Sequence, residues 1–357
     1  MIDRIAVLGL GKIGKLAGAL LQGIGFTVTG VDQRDLAKPP PYPVLRVDIS
    51  DPDALAGALA DQQAVLSCLP YHMNISVAET AHGRGIHYFD LTEDVAVTTR
   101  VRALAETSTG IMAPQCGLAP GFIGIVGAHL AQRFDTVRSI KLRVGALPQN
   151  PVGLLGYAFN WSPEGVVNEY LNDCEVIEDG QRKWVSPMEW IEALYVNGTR
   201  LEAFTTSGGL GTLCETFQDR VENLDYKTMR YPGHAQLMNF FFHELLMRER
   251  RMEAGQILTH AKPPVDDDVV YIHASAEGLE DGRLQRREFV RAYYPRTLAK
   301  ERRTAIAWTT TASVCAVIDL VRQGVLPQNG FLKQETVPFT AFCGTQTGQL
   351  FQKTGNS

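Results

Sequence analysis

The sequence predicts an α/β protein, with a doubly wound parallel sheet in its first third and an α+β domain after it. Three features carry that expectation. A strand-like apolar run leads through a glycine-rich turn into a helical pattern at the start, strand and helix patterns then alternate to about residue 120, and from Thr136 longer segments of period two replace them.

In "RIAVLGLGKIG", residues 4–14, the apolar run is the first strand, and Lys12 to Leu21 carry the apolar spacing of a helix. Gly9 permits a tight turn, Gly11 lets backbone approach a pyrophosphate, and Gly14 lets the helix pack closely on the strand. Lys12 and Ile13 open the helix, whose N-terminus would face the phosphates. A second strand, "FTVTGVD", ends at Asp32, about 20 residues on, where a carboxylate binds a ribose 2′-hydroxyl and repels a 2′-phosphate. NAD is therefore the expected cofactor and NADP the second choice, with Arg34 softening the preference.

"PPPYP" (39–43) cannot be helical and puts an extended loop where a crossover helix would stand. "VLRVDIS" (44–50) reads as a third strand that brings Asp48 near the adenine, and Asp51 with Pro52 opens a helix to residue 60. "AVLSCLP" (64–70), "IHYFDL" (86–91) and "GIMAP" (110–114) complete the series, with a helix over 72–84 stopped by Gly85. In such a sheet ligands lie beyond the carboxyl ends of the strands. That places Leu69, Pro70 and Tyr71, then Asp90 to Asp94, then "QCGLAPG" (115–121) at the site.

The chain has 357 residues, 45% hydrophobic and 20% charged, enough for two cores. A net charge of -5, with no basic run beyond "RERR" (248–251), argues against a nucleic-acid partner. The apolar runs read as shorter than the roughly 18 residues of a membrane span, and "MIDR" begins no signal-peptide pattern. A soluble, cytoplasmic protein without membrane partners is the expectation. The six cysteines form no C-x-x-C pair, so neither a disulfide framework nor a bound metal is expected.

Beyond Thr136, "TVRSIKLRVGALP" (136–148) alternates like a half-buried antiparallel strand, while 269–278 and 284–295 suit a hairpin turning at Asp281-Gly282. Helices are expected over 163–171, over 235–248 with Leu237, Phe240, Phe241 and Leu245 on one side, and over the apolar stretch 304–324.

Several longer motifs add to this. "CGLAPG" (116–121), "GALPQNP" (145–151), "FNWSPEGVVNEY" (159–170), "LEAFTTSGG" (201–209) and "YKTMRYPGHA" (226–235) together resemble the saccharopine dehydrogenase family, over most of the chain. "FNWSPEG" is similar to the saccharopine reductase branch. "LEAFTTSGG" and "YKTMRYPGHA" are more similar to lysine 6-dehydrogenase. The resemblance implies a Rossmann dinucleotide-binding domain over 1–122, an inserted α+β substrate and dimerisation domain over 123–300, and a segment over 301–357 that packs back on the first. It also implies a homodimer and hydride transfer between nicotinamide and the carbon bearing an amine of an amino acid.

On the matching positions, Leu69, Pro70, Cys116 and Gly117 would line the nicotinamide, and Tyr71 would either bound the substrate or pack on the cofactor. Ser207 and Gly208 would offer donors to a substrate carboxylate, and Trp161 would wall the pocket. An α-carboxylate calls for an arginine fork, which Arg230 or Arg143 can supply; a salt bridge is the alternative role for either. Glu93, Asp94, Glu164 and His234 are the proton-transfer candidates, with Glu93 and His234 foremost, against the alternatives that Glu93 and Asp94 cap the next helix and that His234 is a structural, hydrogen-bonded histidine. A carboxynorspermidine-type dehydrogenase, or a catalytically silent NAD-sensing protein, remains the alternative function.

Overall fold

A computed structural model describes residues 2–352, which form two compact units. The first comprises the described residues of Met1–Phe122, Thr297–Glu301 and Ala307–Lys353, and the second Ile123–Arg296 with Arg302–Ile306.

Six short strands build the first unit: β1 (Arg4–Leu8), β2 (Thr27–Asp32), β3 (Val44–Arg46), β4 (Ala64–Ser67), β5 (His87–Phe89) and β6 (Ile111–Ala113). They run parallel in the order β6-β5-β4-β1-β2-β3, and Gly330–Phe331 adds a parallel strand outside β6. Helices α1 (Lys12–Gly23), α2 (Pro52–Ala58), α3 (Asn74–Arg84) and α4 (Val95–Ala105) make the crossovers. Every residue of β4 and all but the first of β1 are buried, as central strands of a doubly covered parallel sheet must be. Strand order reverses between β1 and β4, which makes their carboxyl ends the topological switch point.

Two local details depart from the sequence reading. The strand expected over 44–50 stops at Arg46, because Asp48 Oδ1 accepts both the N–H and the hydroxyl of Ser50 and turns the chain. In place of a helix after β2, the proline-rich loop supplies Tyr42, whose hydroxyl donates toward the carbonyls of Gly14 and Lys15. Its ring fills the space left by Gly18 and Gly30, where a Cβ would come within 2.4 and 2.9 Å of it.

The second unit opens with α5 (Phe122–Ala131) and β7 (Thr136–Pro148), followed by α6 (Pro163–Leu171), β8 (Cys174–Glu178), β9 (Gln181–Val185), β10 (Glu192–Val196) and β11 (Thr199–Thr205). After α7 (Leu213–Phe217) come β12 (Val221–Arg230), α8 (His234–Asn239), α9 (Arg251–Ala261), β13 (Asp268–Glu280) and β14 (Arg283–Tyr293). The sheet runs β10-β11-β12-β7-β13-β14, with β8 and β9 attached through β12. β7 is antiparallel to β13 but parallel to β12, so the sheet is mixed rather than purely antiparallel. The period-two pattern of β7 arises from its two faces, one of which receives α5, where glycine at 127 leaves room for Leu142. Three hairpins turn at Asp179-Gly180, Asn197-Gly198 and Asp281-Gly282, each with positive φ at both residues.

The helix expected over 235–248 breaks into α8, a wider turn over Phe240–Glu244 and a tight turn over Met247–Glu249, with Leu246 left-handed at φ 57°. Its buried side carries His234, Ala235, Met238 and Phe242, whereas Phe240 and Leu245 are exposed. The hydrogen bonds of His234 described below set the rotation of this segment, and they outweigh the apolar stripe. The last long helix, α10 (Ala305–Arg322), is by length and composition apolar enough to cross a membrane, which corrects the expectation of shorter apolar runs. With 83% of it buried inside the protein, it is a core helix.

Candidate functional site

The glycine turn of the first unit divides its work among three residues. Gly9 has φ +84° and donates its N–H to Val31 O at 2.9 Å, and a Cβ there would lie 2.9 Å from the Cys68 carbonyl oxygen. A Cβ on Gly14 would come within 2.0 Å of Gly9 O, so α1 closes on the turn only in its absence. Gly11 is the opposite case: a Cβ would meet nothing within 4 Å, and α1 begins after it without a side-chain cap. Lys12 and Ile13 are the first two residues of α1, so their backbone N–H groups have no intrahelical partner and open onto that space. Free donors, a positive helix end and open approach fit the pyrophosphate of a dinucleotide.

β2 delivers Asp32 beside this turn, almost fully buried. Its Oδ2 accepts the Leu10 N–H at 2.8 Å and Arg34 Nη2 at 2.9 Å, and its Oδ1 accepts Arg34 N and Nε, each at 2.9 Å. The Arg34 hydrogen bonds hold its pKa down to about 2 against the cost of burial. Both oxygens are thus occupied by this chain, while Arg34 itself leaves most of its side chain in solvent. Arg46 pairs with Asp32 in strand register and reaches Asp35 at 2.8 Å. This edge presents guanidinium groups beside Asp32 rather than a lone carboxylate. Asp48, exposed and engaged with Ser50, sits in the turn beyond β3.

Beyond β4, Leu69 Cδ2 lies 3.0 Å from where a Gly9 Cβ would stand, and Pro70 O accepts the Met73 N–H in a short turn that begins at Tyr71. Leu69 and Tyr71 rest, half-buried, on the sheet core.

Beyond β5, Asp90 is wholly buried and joins two loops. Tyr88 donates to its Oδ2 at 2.6 Å, Thr92 and Gln115 donate N–H groups to Oδ1 at 3.0 and 2.9 Å, and its backbone bonds Ala113 O and Cys116 N. Burial outweighs these donors and raises its pKa to about 6. Asp94 Oδ1 accepts the Val97 N–H at 2.8 Å and caps α4. Glu93, half-buried between them, has its pKa pushed up to about 7 by desolvation, with Asp94 and Asp90 adding repulsion.

The Cys116 thiol donates to Ala113 O and accepts from Gln334 Nε2 at 3.1 Å, and burial holds its pKa far above the usual thiol range. It is a packed, protonated group. Gly117 O accepts the N–H of Phe122 and closes the loop.

In the second unit Arg230, at the end of β12, is 2% exposed. Its Nε donates to Tyr170 Oη at 2.8 Å, its Nη1 donates to Thr228 Oγ1 and Met229 O, and its plane lies 4.6 Å from the Tyr157 ring centre. Among the described residues no carboxylate comes within 4 Å of it, although the charge of Glu169 acts on it from farther away.

The chain of donors continues. Since the Tyr170 oxygen accepts from Arg230, its proton points to His234 Nε2 at 3.0 Å, and His234 Nδ1 donates to Leu155 O at 3.0 Å. Burial and the Arg230 charge lower the His234 pKa to about 3. It is therefore a neutral, fully bonded imidazole whose place is structural, which removes it as a proton-transfer candidate. Glu202 on β11 fastens the same segment by accepting the N–H groups of Gly233 and Ala235, both at 2.7 Å.

Other expected residues fall elsewhere. Arg143 is consumed by Glu192 and Asp225, with Lys227 completing the network through Glu192 at 3.1 Å and Trp190 O at 2.6 Å, so it offers no fork. Ser207 donates its N–H to Glu169 O and its hydroxyl to Asn168 O, which turns it onto α6. Glu202 pairs with Arg230 and Thr205 with Lys227, and β11 ends at Thr205, so Ser207 and Gly208 lie past the end of the strand and outside the register that holds Arg230. Trp161 packs half-buried on the cluster that contains Tyr157 and Phe159.

Residues 5–113 match the model of the saccharopine dehydrogenase NADP binding domain, and 117–350 that of the saccharopine dehydrogenase C-terminal domain. The chain belongs to the saccharopine dehydrogenase family. Saccharopine dehydrogenase [NADP(+), L-glutamate-forming] of Saccharomyces cerevisiae is 29% identical over 170 residues. That match spans 42% of this chain and 35% of the yeast protein, about a third of the relative's length. The structure of apo histidine-tagged saccharopine dehydrogenase (L-Glu forming) from the same yeast superposes with a TM-score of 0.73 at 18% identity, covering 93% of this chain and 94% of that one. C. glutamicum DAP dehydrogenase in complex with DAP gives 0.50 at 12% identity, over 99% of each chain. Both structures share the fold, and the first unit is a nucleotide-cofactor-binding domain.

Within this family framework the structure adds residues that the sequence reading did not single out. Tyr170 and Glu202 lie inside the quoted family motifs, so the motifs themselves were the available signal. Asp90 was placed at the site by its position after β5, but its role in tying two loops carried no signal, because that depends on β6 lying beside β5.

Proposed function

We propose that the protein is an NADP-linked dehydrogenase acting on the carbon that bears an amine of an α-amino acid, of the lysine or saccharopine kind. Arg230 is the observation that carries the substrate class. A guanidinium buried to this degree without a carboxylate beside it is costly, and a substrate α-carboxylate would supply the missing counter-charge with bidentate geometry. Arg34 supports the cofactor choice. With Asp32 already bonded, the ribose edge favours a 2′-phosphate, in keeping with the family model's description and against the NAD preference expected from Asp32 alone. Bound NADP supplies a hydride acceptor, and Gly11, Lys12 and Ile13 would hold its pyrophosphate.

The test is nicotinamide absorbance with NADP or NAD and a panel of lysine, saccharopine, ornithine and carboxylated polyamines at alkaline pH. The expected result is turnover of an amine bearing an α-carboxylate, with Arg230→Met raising its KM by about a hundredfold and leaving NADPH affinity unchanged. Cofactor binding without turnover of any amine would favour a sensing role. An unchanged KM in the variant would remove Arg230 from substrate recognition.

A further inference from the structure

We propose that Glu93 is the group that exchanges a proton with water at the substrate carbon, in the amine reaction proposed above and resting on that reading. The argument begins with which carboxylates the sheet leaves available. Dinucleotides in doubly wound sheets lie across the carboxyl ends of the strands, running here from β2 past β1 to β4 and β5. At those ends Asp32 is clamped by Arg34 and Leu10, Asp48 by Ser50, Asp90 by Tyr88, Thr92 and Gln115, and Asp94 by the first turn of α4. Asp35, beyond β2, is paired with Arg46, and Glu93 is the acid in these loops that no other described residue clamps. Among the described residues no other residue is hydrogen-bonded to its carboxylate.

The other titratable groups there do not serve. Cys116 and Cys68 stay protonated because burial pushes both thiols up, Cys68 to about 12. His234, the second candidate, is a neutral structural imidazole held by Tyr170 and Leu155.

The loop that carries Glu93 is unusually well held. Asp90 and Asp94 flank it, and Asp90 ties its start to Gln115, whose φ of 65° is fixed by the same carboxylate. These two aspartates are also the charged groups that act on Glu93, and their repulsion together with desolvation brings its pKa to about 7, where one carboxyl can both take and return a proton.

In the oxidative direction the substrate's C=N carbon, once hydride has left it, forms a bond to the oxygen of water, and the C=N π pair returns to nitrogen. The departing water proton goes to the Glu93 carboxylate, giving a neutral carbinolamine. Glu93 then returns that proton to the nitrogen, the C–N bond breaks as the C=O bond forms, and the hydroxyl proton leaves with the amine as ammonium. The carboxylate is regenerated, and no electrons are gained or lost in these steps.

The experiment uses the full chain in two ways. In protein labelled with 13C at glutamate Cδ and free of cofactor, the resonance lost in Glu93→Gln is expected to titrate near pH 7; titration in the ordinary carboxylate range would overturn the proposal. In turnover, Glu93→Gln is expected to lower kcat by about a hundredfold or more, with amine KM and NADPH affinity within about twofold of wild type. The wild-type rise of oxidative kcat/KM through about pH 7 should vanish in this variant, and Glu93→Asp should recover part of the rate. Full turnover by Glu93→Gln would overturn the role of Glu93 alone. A wild-type protein that binds NADPH but turns over no amine in the panel would overturn the functional reading and this proposal with it.

Discussion

Asp32 and Arg34 are joined by three hydrogen bonds, and those bonds change what a cofactor meets at the end of β2. Read from the sequence, Asp32 is a free carboxylate; in the folded chain its charge is matched two residues away and its lone pairs face Leu10 and Arg34. Replacing Arg34 by Ala should therefore weaken NADPH by roughly ten- to a hundredfold, the worth of one charge-assisted contact, and leave NADH within a few-fold. Calorimetric titration of both cofactors decides it, since equal losses would mean that Arg34 does not meet the 2′-phosphate. The same lesson holds for Arg143 and Arg230. Both are arginines on adjacent strands, but among the described residues only the second has no carboxylate within 4 Å, and no local pattern distinguishes them.

Elements show where local chemistry suffices. Asp179-Gly180, Asn197-Gly198 and Asp281-Gly282 all specify two-residue hairpins, and the first two were as legible as the third. The segment after β12 was less legible. Its three consecutive phenylalanines suit several helix rotations, and the choice is made by His234 bonding Tyr170 and by Glu202 holding the two N–H groups at the start of α8. Glu202→Ala should lower stability by about 1–2 kcal/mol, the cost of losing an N-terminal helix acceptor, with the denaturant slope unchanged. An unaltered urea midpoint would show that α8 is held by packing alone.

At the scale of the whole molecule, buried groups give opposing pH dependences. His234 is lowered from 6.5 to about 3, so the unfolded chain binds the extra proton and stability falls on acidification through that window. Asp90 is raised from 3.8 to about 6, so the folded chain binds the extra proton there and stability falls as pH rises. The two contributions oppose each other between about pH 4 and 6. Asp90→Asn removes one of them, and its unfolding free energy should rise with pH more steeply than wild type by at most about 1.4 kcal/mol per unit. Denaturant unfolding at three pH values in that window is the check, and parallel slopes would refute the buried-acid account.

The sequence by itself determined the order of strands and helices in the first unit, the glycine turn and the family motifs, because these depend on backbone freedom and side-chain periodicity over a few residues. Tertiary structure decided which charges remain available. Arg34 cancels Asp32, Glu192 and Asp225 consume Arg143, Asp90 ties two loops together, and Glu93 is bonded by no other described residue. The physical reason is that a buried charge is defined by its partners, and across strands those partners are neighbours in space that lie far apart in the chain.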